Sequence, residues 1–496
     1  MALRKRDAEC RLRLAELERQ LQVVGAQPQL AESERRQRLL RLVDELDAAR
    51  GAVIAVYRDV RTASPAYRLA VGAKFEPVPL DQLQAWLAHD KAILLEYALG
   101  QQAGYLFVVP AEGQARAVEL TVTPEQAQSL GCEPGPLTAD RLKSIFTLGG
   151  KELLKQLSNP GAAAEASSRL AQLWQLLIPA PQREQLTGGE FNKLIVVPDG
   201  ALALLPFETL VVRDGEKPQY LLESGPPVVY APSATVLYNL SRRKPQQPPP
   251  PGVKAVLSVG DPAYRKAPLA VGAEQSRQVL DELGPQYRFA RLRGELAPLP
   301  YSAIESDWVA SAFNDHGMTT IQLRKAEATE GNLRSNMHGR QVVHLACHGF
   351  VDQAFGNFFG ALAVAPAGRD AAGPTDDGFL TLAEIYELDL RACQLALLSA
   401  CETNYGPEQK GEGVWALSRG FLVAGAQRVV ATDWLVDDEA AASLVSYFCS
   451  DAMKTKRPDG TPDYAGALHR AKRWVRNQEK WSSPYYWASF VMIGPD

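Results

Sequence analysis

The sequence predicts an α/β fold with a mostly parallel sheet flanked by helices, and three observations carry that prediction. From about residue 253 onward, continuous Val/Leu/Ile runs of strand length alternate with segments of helical length, the pattern of strands covered on both faces. Two of those runs, Val342 to Ala346 and Leu395 to Ala400, stop abruptly at residues of chemical interest, His348 and Cys401. With 496 residues the chain exceeds one ordinary core, so two or three domains are expected.

The first 50 residues read as helical and charged. Leu14, Leu17, Leu21 and Val24 form one stripe and Leu39, Leu42, Val43 and Leu46 a second, separated by a break at Gly25 to Pro28, which suggests two antiparallel helices. Beyond residue 51 the pattern changes. Lys91 to Tyr97 and Gly104 to Val109 read as paired strands, with a third at Ala117 to Thr123. Helices are expected at Ala139 to Leu157, interrupted at Gly149-Gly150, and at Ala166 to Leu177; strands are expected at Asn192 to Val197 and from Val228.

Residues 244–252 carry four consecutive prolines, which fit neither a helix nor a central strand, so this stretch reads as a stiff linker. The unit behind it, 253–496, reads as strands at Val253 to Val259, Thr319 to Leu323, Val342 to Ala346, Leu395 to Ala400, Arg428 to Thr432 and Trp487 to Ile493. Between them helices are expected at Ala273 to Leu283, Gly331 to Met337, Gly413 to Ala424, Asp438 to Met453 and Tyr464 to Gln478.

Composition narrows the function classes. A net charge of −4 without a clustered basic face argues against direct nucleic-acid binding. No apolar run approaches the roughly 18 residues that span a bilayer, and the N-terminus lacks a signal-peptide core, so a cytoplasmic protein without membrane contact is expected. The six cysteines show no framework spacing and no CxxC, so they are read one by one as thiols, with neither disulfides nor structural zinc expected.

His348 and Cys401 are the candidate catalytic pair. If their strands are parallel neighbours, both side chains emerge at the same carboxyl edge, where open α/β sheets place their sites. A thiol attacks as thiolate, and a nearby imidazole raises the thiolate fraction. Gly349 would let a substrate backbone approach, and the N–H groups of Gly349 and Cys401 are the candidate oxyanion donors. Asp433 and Trp434 follow the strand ending at Thr432 and are candidates for lining a substrate cleft, Asp433 as the partner of a basic side chain. The alternatives are a strand-capping histidine, a buried structural cysteine and ordinary loop packing. Metal ligation by His344, Cys347 and His348 is disfavoured, because strand alternation turns Cys347 to the face opposite both histidines. No metal or other cofactor is expected.

The motifs His344-Leu345-Ala346-Cys347-His348-Gly349, Leu397-Leu398-Ser399-Ala400-Cys401-Glu402-Thr403, Gly411-Glu412-Gly413-Val414, Gly425-Ala426 and Tyr486-Trp487-Ala488-Ser489-Phe490 resemble the CHAT family of caspase-like peptidases. Leu94 to Tyr97, Val197 to Leu202 with Leu205-Pro206-Phe207, and Ala231 to Thr235 extend the resemblance upstream, so that it covers roughly residues 70 to 496. The resemblance implies a caspase-like catalytic domain at 253–496 with His348 and Cys401 as its dyad and a degenerate caspase-like companion at 51–243, behind the N-terminal helical segment at 1–50 that the apolar stripes indicate. It implies a cysteine endopeptidase that makes limited cuts in a protein substrate, under an activating partner, in bacterial defence or signalling. A catalytically silent binding scaffold and a thiol hydrolase acting on small molecules are the alternative classes. Ser399 and Glu402-Thr403 stand where caspases carry a Gln and an Arg-Gly, so aspartate specificity is not carried over. Gly406 to Gly413, just past the thiol, is expected to be a mobile activation loop.

Overall fold

The computed structural model describes residues 2–25, 30–63, 76–147, 153–243, 254–264, 296–353, 355–367, 376–409, 413–414 and 416–496. The linker at 244–252 and the helix expected at Ala273 to Leu283 lie outside the described residues, as do 410–412 of the loop past Cys401.

Two long helices, Ala2–Gly25 and Glu32–Ala63, pack against each other along the apolar stripes read from the sequence, burying Leu17, Leu21, Leu39, Val43 and Leu46. The pair is seated on the rest of the molecule. Val53 and Tyr57 pack against Phe358 and Ala383, and the Arg11 guanidinium lies 2.6 Å from Glu387.

Among the described residues, one sheet of twelve strands runs through both halves of the remaining chain. On one side, Val256–Pro262, Thr320–Lys325, Val342–Ala346, Leu395–Ser399 and Val429–Thr432 are mutually parallel. On the other, Ala92–Leu99, Lys193–Val197 and Val228–Tyr230 are parallel to one another, with Gly104–Pro110 and Arg116–Val122 added antiparallel at the edge. The last strand, Phe490–Ile493, joins the sides: it pairs antiparallel with Val429–Thr432 and parallel with Val228–Tyr230 through Ile493 and Tyr230. The central strands are buried along their whole length, as their continuous Val/Leu/Ile character requires. No helix among the described residues is long and apolar enough to cross a membrane.

Several elements differ from the sequence-based expectations for identifiable reasons. The helix from Gly413 begins only at Leu417, because Gly413–Val414 instead pairs antiparallel with Glu408–Gln409. The last strand begins at Phe490; Pro484–Trp487 is a short helix, with proline at a first-turn position that suits it. A helix at Pro300–Asn314 was not anticipated. Its inward face carries Ser302, Glu305 and Ser306 among Val309 and Phe313, so no apolar stripe announces it. His348–Phe350 forms a separate three-stranded antiparallel sheet with Ala361–Ala363 and Phe379–Thr381.

Candidate active site

The strands ending before His348 and Cys401 are direct parallel neighbours, in a register that sets Ala346 opposite Ser399. Both residues therefore leave the same edge of the sheet. Gly349 packs against the Cys401 backbone: a methyl group on its Cα would overlap the Cys401 carbonyl oxygen and lie 3.2 Å from the carbonyl carbon and 3.3 Å from the amide nitrogen. Only glycine lets the two backbones approach so closely. Glu402 turns the chain immediately after the thiol with φ of 55°, a left-handed conformation uncommon outside glycine.

His348 is partly buried. Its Nε2 is 2.8 Å from the carbonyl oxygen of Ala297, so that nitrogen carries the proton and Nδ1 is left as the basic atom of the neutral ring. The Tyr264 ring lies 5.1 Å from the imidazole, and the Tyr264 hydroxyl accepts the His348 backbone N–H at 3.2 Å. Burial pushes the imidazole below its ordinary value, with the Ala297 carbonyl opposing that shift. Burial likewise raises the Cys401 thiol, against the backbone amide of Val436, which favours the thiolate. At neutral pH the two groups are thus an uncharged imidazole and an uncharged thiol.

The neighbouring histidine has a different setting. His344 is fully buried, with Nε2 2.7 Å from Glu305 and Nδ1 2.9 Å from Ser258. Ser258 continues the chain of bonds to Ser306 at 2.8 Å, tying the strand to the helix Pro300–Asn314. Cys347 is buried and its thiol is raised strongly by desolvation. Among the described residues no cluster of His, Cys, Asp and Glu is arranged to hold a metal ion.

Asp433 and Trp434, expected to line a cleft, are instead each 6% exposed. The Trp434 indole N–H donates to the Tyr485 carbonyl at 3.1 Å, and its ring belongs to the main core. Asp433 accepts the Asn404 side-chain N–H at 2.7 Å. Glu208 and Lys472, distant in sequence, act on its carboxyl electrostatically. An acidic pocket open to a substrate side chain is not formed by these two residues here.

The contributions of Ala297, Tyr264 and Asn404 escaped the sequence reading. The first is a backbone carbonyl, for which no side-chain signature exists; Asn404 sat in a loop already marked as polar, and its pairing with Asp433 depends on the neighbouring strand.

A family model described as the CHAT domain matches residues 167–495. Tetratricopeptide repeat protein 28 of Homo sapiens is 32% identical over 123 residues, which make up 25% of this chain and 5% of that protein. The Mus musculus protein of the same name is 31% identical over 123 residues, with the same coverage. The chain thus spans about 5% of the length of these curated relatives. Among solved structures, the Arg-specific cysteine proteinase gingipain R is 9% identical, with 68% of each chain covered and a TM-score of 0.39. The Saccharomyces cerevisiae separase–securin complex is 11% identical over 92% of this chain and 34% of that chain, with a TM-score of 0.43.

Proposed function

The chain belongs to the CHAT domain family, and from that premise we propose that it is a cysteine endopeptidase using His348 and Cys401. The observation that supports this reading is the shared sheet edge: adjacent parallel strands end side by side just before His348 and Cys401, with Gly349 packed on the Cys401 backbone. In this reading the Ala297 carbonyl fixes the Nε2–H tautomer and leaves Nδ1 to take the thiol proton as the sulfur attacks the scissile carbonyl. The resulting imidazolium is partly offset by the same carbonyl. Backbone N–H groups of Gly349 and Cys401 would hold the tetrahedral oxyanion. The imidazolium protonates the leaving amine, and water, deprotonated by the imidazole, releases the acyl group and restores the thiol.

The raised thiol and lowered imidazole mean that no ion pair is poised in advance; the thiolate forms as substrate is engaged. That suits a protease kept quiet until a partner reshapes its site, with the hairpin Glu408–Gln409 and Gly413–Val414 as the segment to be moved. Substrate and activator are read as proteins. A role in bacterial defence is part of the proposal and comes from the family resemblance alone.

An electrophilic peptide probe tests the reading. Labelling is expected at Cys401 in the wild type and is expected to fall in His348→Ala. Labelling of Cys401 by a small thioester but by no peptide probe would replace the endopeptidase with a small-molecule hydrolase.

A further inference from the structure

We infer that Asp433 is a positioning residue: its buried carboxyl fixes Asn404 and, through it, the loop that carries Cys401. The inference rests on the proposed role of Cys401 as nucleophile and adds a residue that orients it.

The loop past the thiol is stapled to the end of the strand Val429–Thr432. Thr432 donates from its hydroxyl to the Ala400 carbonyl at 2.5 Å and from its amide to the Thr403 hydroxyl at 2.9 Å. The Asn404 amide donates to the Thr432 carbonyl at 2.7 Å. Beyond these the Asn404 side chain donates to Asp433 Oδ1, while the Ser418 hydroxyl donates to Asn404 Oδ1, both at 2.7 Å. Asn404 is therefore gripped on both sides, three residues after a nucleophile whose next residue has a left-handed backbone. Loss of either grip frees the turn that aims the sulfur.

The carboxyl is held in an unusual setting. Asp433 is buried, its Oδ2 has no hydrogen-bond partner among the described residues, and its own amide is used by the Ser489 carbonyl. The charged and titratable groups that face it come from three other elements: Glu208, Lys472 and Tyr230. Lys472 and Glu208 pair with each other, and the Tyr230 hydroxyl donates to Glu208 at 2.8 Å, so the lysine is already engaged. Burial raises the Asp433 carboxyl to about 8, opposed by the Asn404 N–H and Lys472 and reinforced by Glu208. At neutral pH Asp433 is thus a neutral acid whose carbonyl oxygen accepts from Asn404. Above that pH, ionisation sets a second negative charge beside Glu208 and strains the seam.

The experiment compares wild type, Asp433→Asn, Asp433→Ala and Asn404→Ala in the full chain, reading the rate of Cys401 alkylation by iodoacetamide from pH 6 to 9.5 and, separately, kcat and KM for cleavage. Asp433→Asn keeps a neutral acceptor and is expected to stay within about twofold of wild type at pH 7, while Asp433→Ala and Asn404→Ala change the alkylation rate by about tenfold and lower kcat more than they raise KM. The ratio of wild-type to Asp433→Asn rates is expected to be flat at low pH and to bend near pH 8. Asn404→Ala reaches the same bond from its less buried partner, should Asp433→Ala fold poorly. Unchanged rates in Asn404→Ala, a ratio flat at every pH, or Asp433→Asn as impaired as Asp433→Ala would overturn the inference. Alkylation reports the sulfur's setting without catalysis, so a wild type that alkylates as expected but cuts nothing refutes the protease reading and leaves the positioning role standing.

Discussion

Replacing Gly349 by alanine puts its contact with the Cys401 backbone under direct strain. The added methyl would overlap the Cys401 carbonyl oxygen and sit 3.2 Å and 3.3 Å from the carbonyl carbon and amide nitrogen. All three are backbone atoms, so no side chain can swing aside. Either the strand His348–Phe350 or the turn at Cys401 must shift by about 1 Å, a displacement that costs on the order of a hundredfold in rate when it falls on reacting groups. The stability cost is that of overpacking, about 1–3 kcal/mol, toward the upper end because the turn at Glu402 is already left-handed. Two assays separate the effects: the urea midpoint reads stability, and the rate of Cys401 labelling by a peptide electrophile reads geometry. The variant is expected to remain folded with a lowered midpoint and labelling reduced by about two orders of magnitude. A Gly349→Ala protein with wild-type midpoint and wild-type labelling would refute the contact and the proposed alignment with it.

Three further outcomes are expected. The proposed mechanism requires a neutral imidazole, and burial lowers that of His348, so the acid limb of kcat/KM is expected below the ordinary histidine value of about 6.5; a midpoint at or above it would contradict the assigned environment. Lys472→Ala leaves Glu208 buried without its cation and is expected to cost about 3–5 kcal/mol in denaturant unfolding; a loss under about 1 kcal/mol would show that the pair is not sealed from water. His469 is buried with Nδ1 unpartnered, and desolvation holds its imidazole down at about 3. The unfolded chain then binds the extra proton between about pH 6.5 and pH 3, so stability is expected to fall with decreasing pH across that window, by at most about 5 kcal/mol from this group. His469→Phe is expected to flatten that slope, and an unchanged slope would assign the acid sensitivity elsewhere.

The sheet was legible because burial on both faces leaves a sequence mark. Val342 to Ala346 and Leu395 to Ser399 are unbroken apolar runs, and each ends where the polar residues begin. Direction was less legible: an apolar strand reads the same in either sense, and only the path of the chain makes Phe490–Ile493 antiparallel to Val429–Thr432. The helix Pro300–Asn314 hides because its inward face is polar, shaped to meet His344 through Glu305. Within the site, the side chains of His348 and Cys401 stand at strand ends that can be read, whereas the Ala297 carbonyl has no side-chain signature. Asp433 stands at the strand end the sequence indicates, but it is buried there rather than open, and the charges that act on it, Glu208 and Lys472, are far away in sequence. Short-range patterns fix which residues reach an edge, and long-range packing fixes whether they face solvent there.

The central claim is a cut made in another protein by Cys401. Wild type and Cys401→Ala, each incubated with lysate and the products of adjacent genes under activating conditions, can be compared by mapping new protein N-termini. A small set of new termini present with the wild type and absent with Cys401→Ala is the expected result. Identical termini in the two samples would contradict the account.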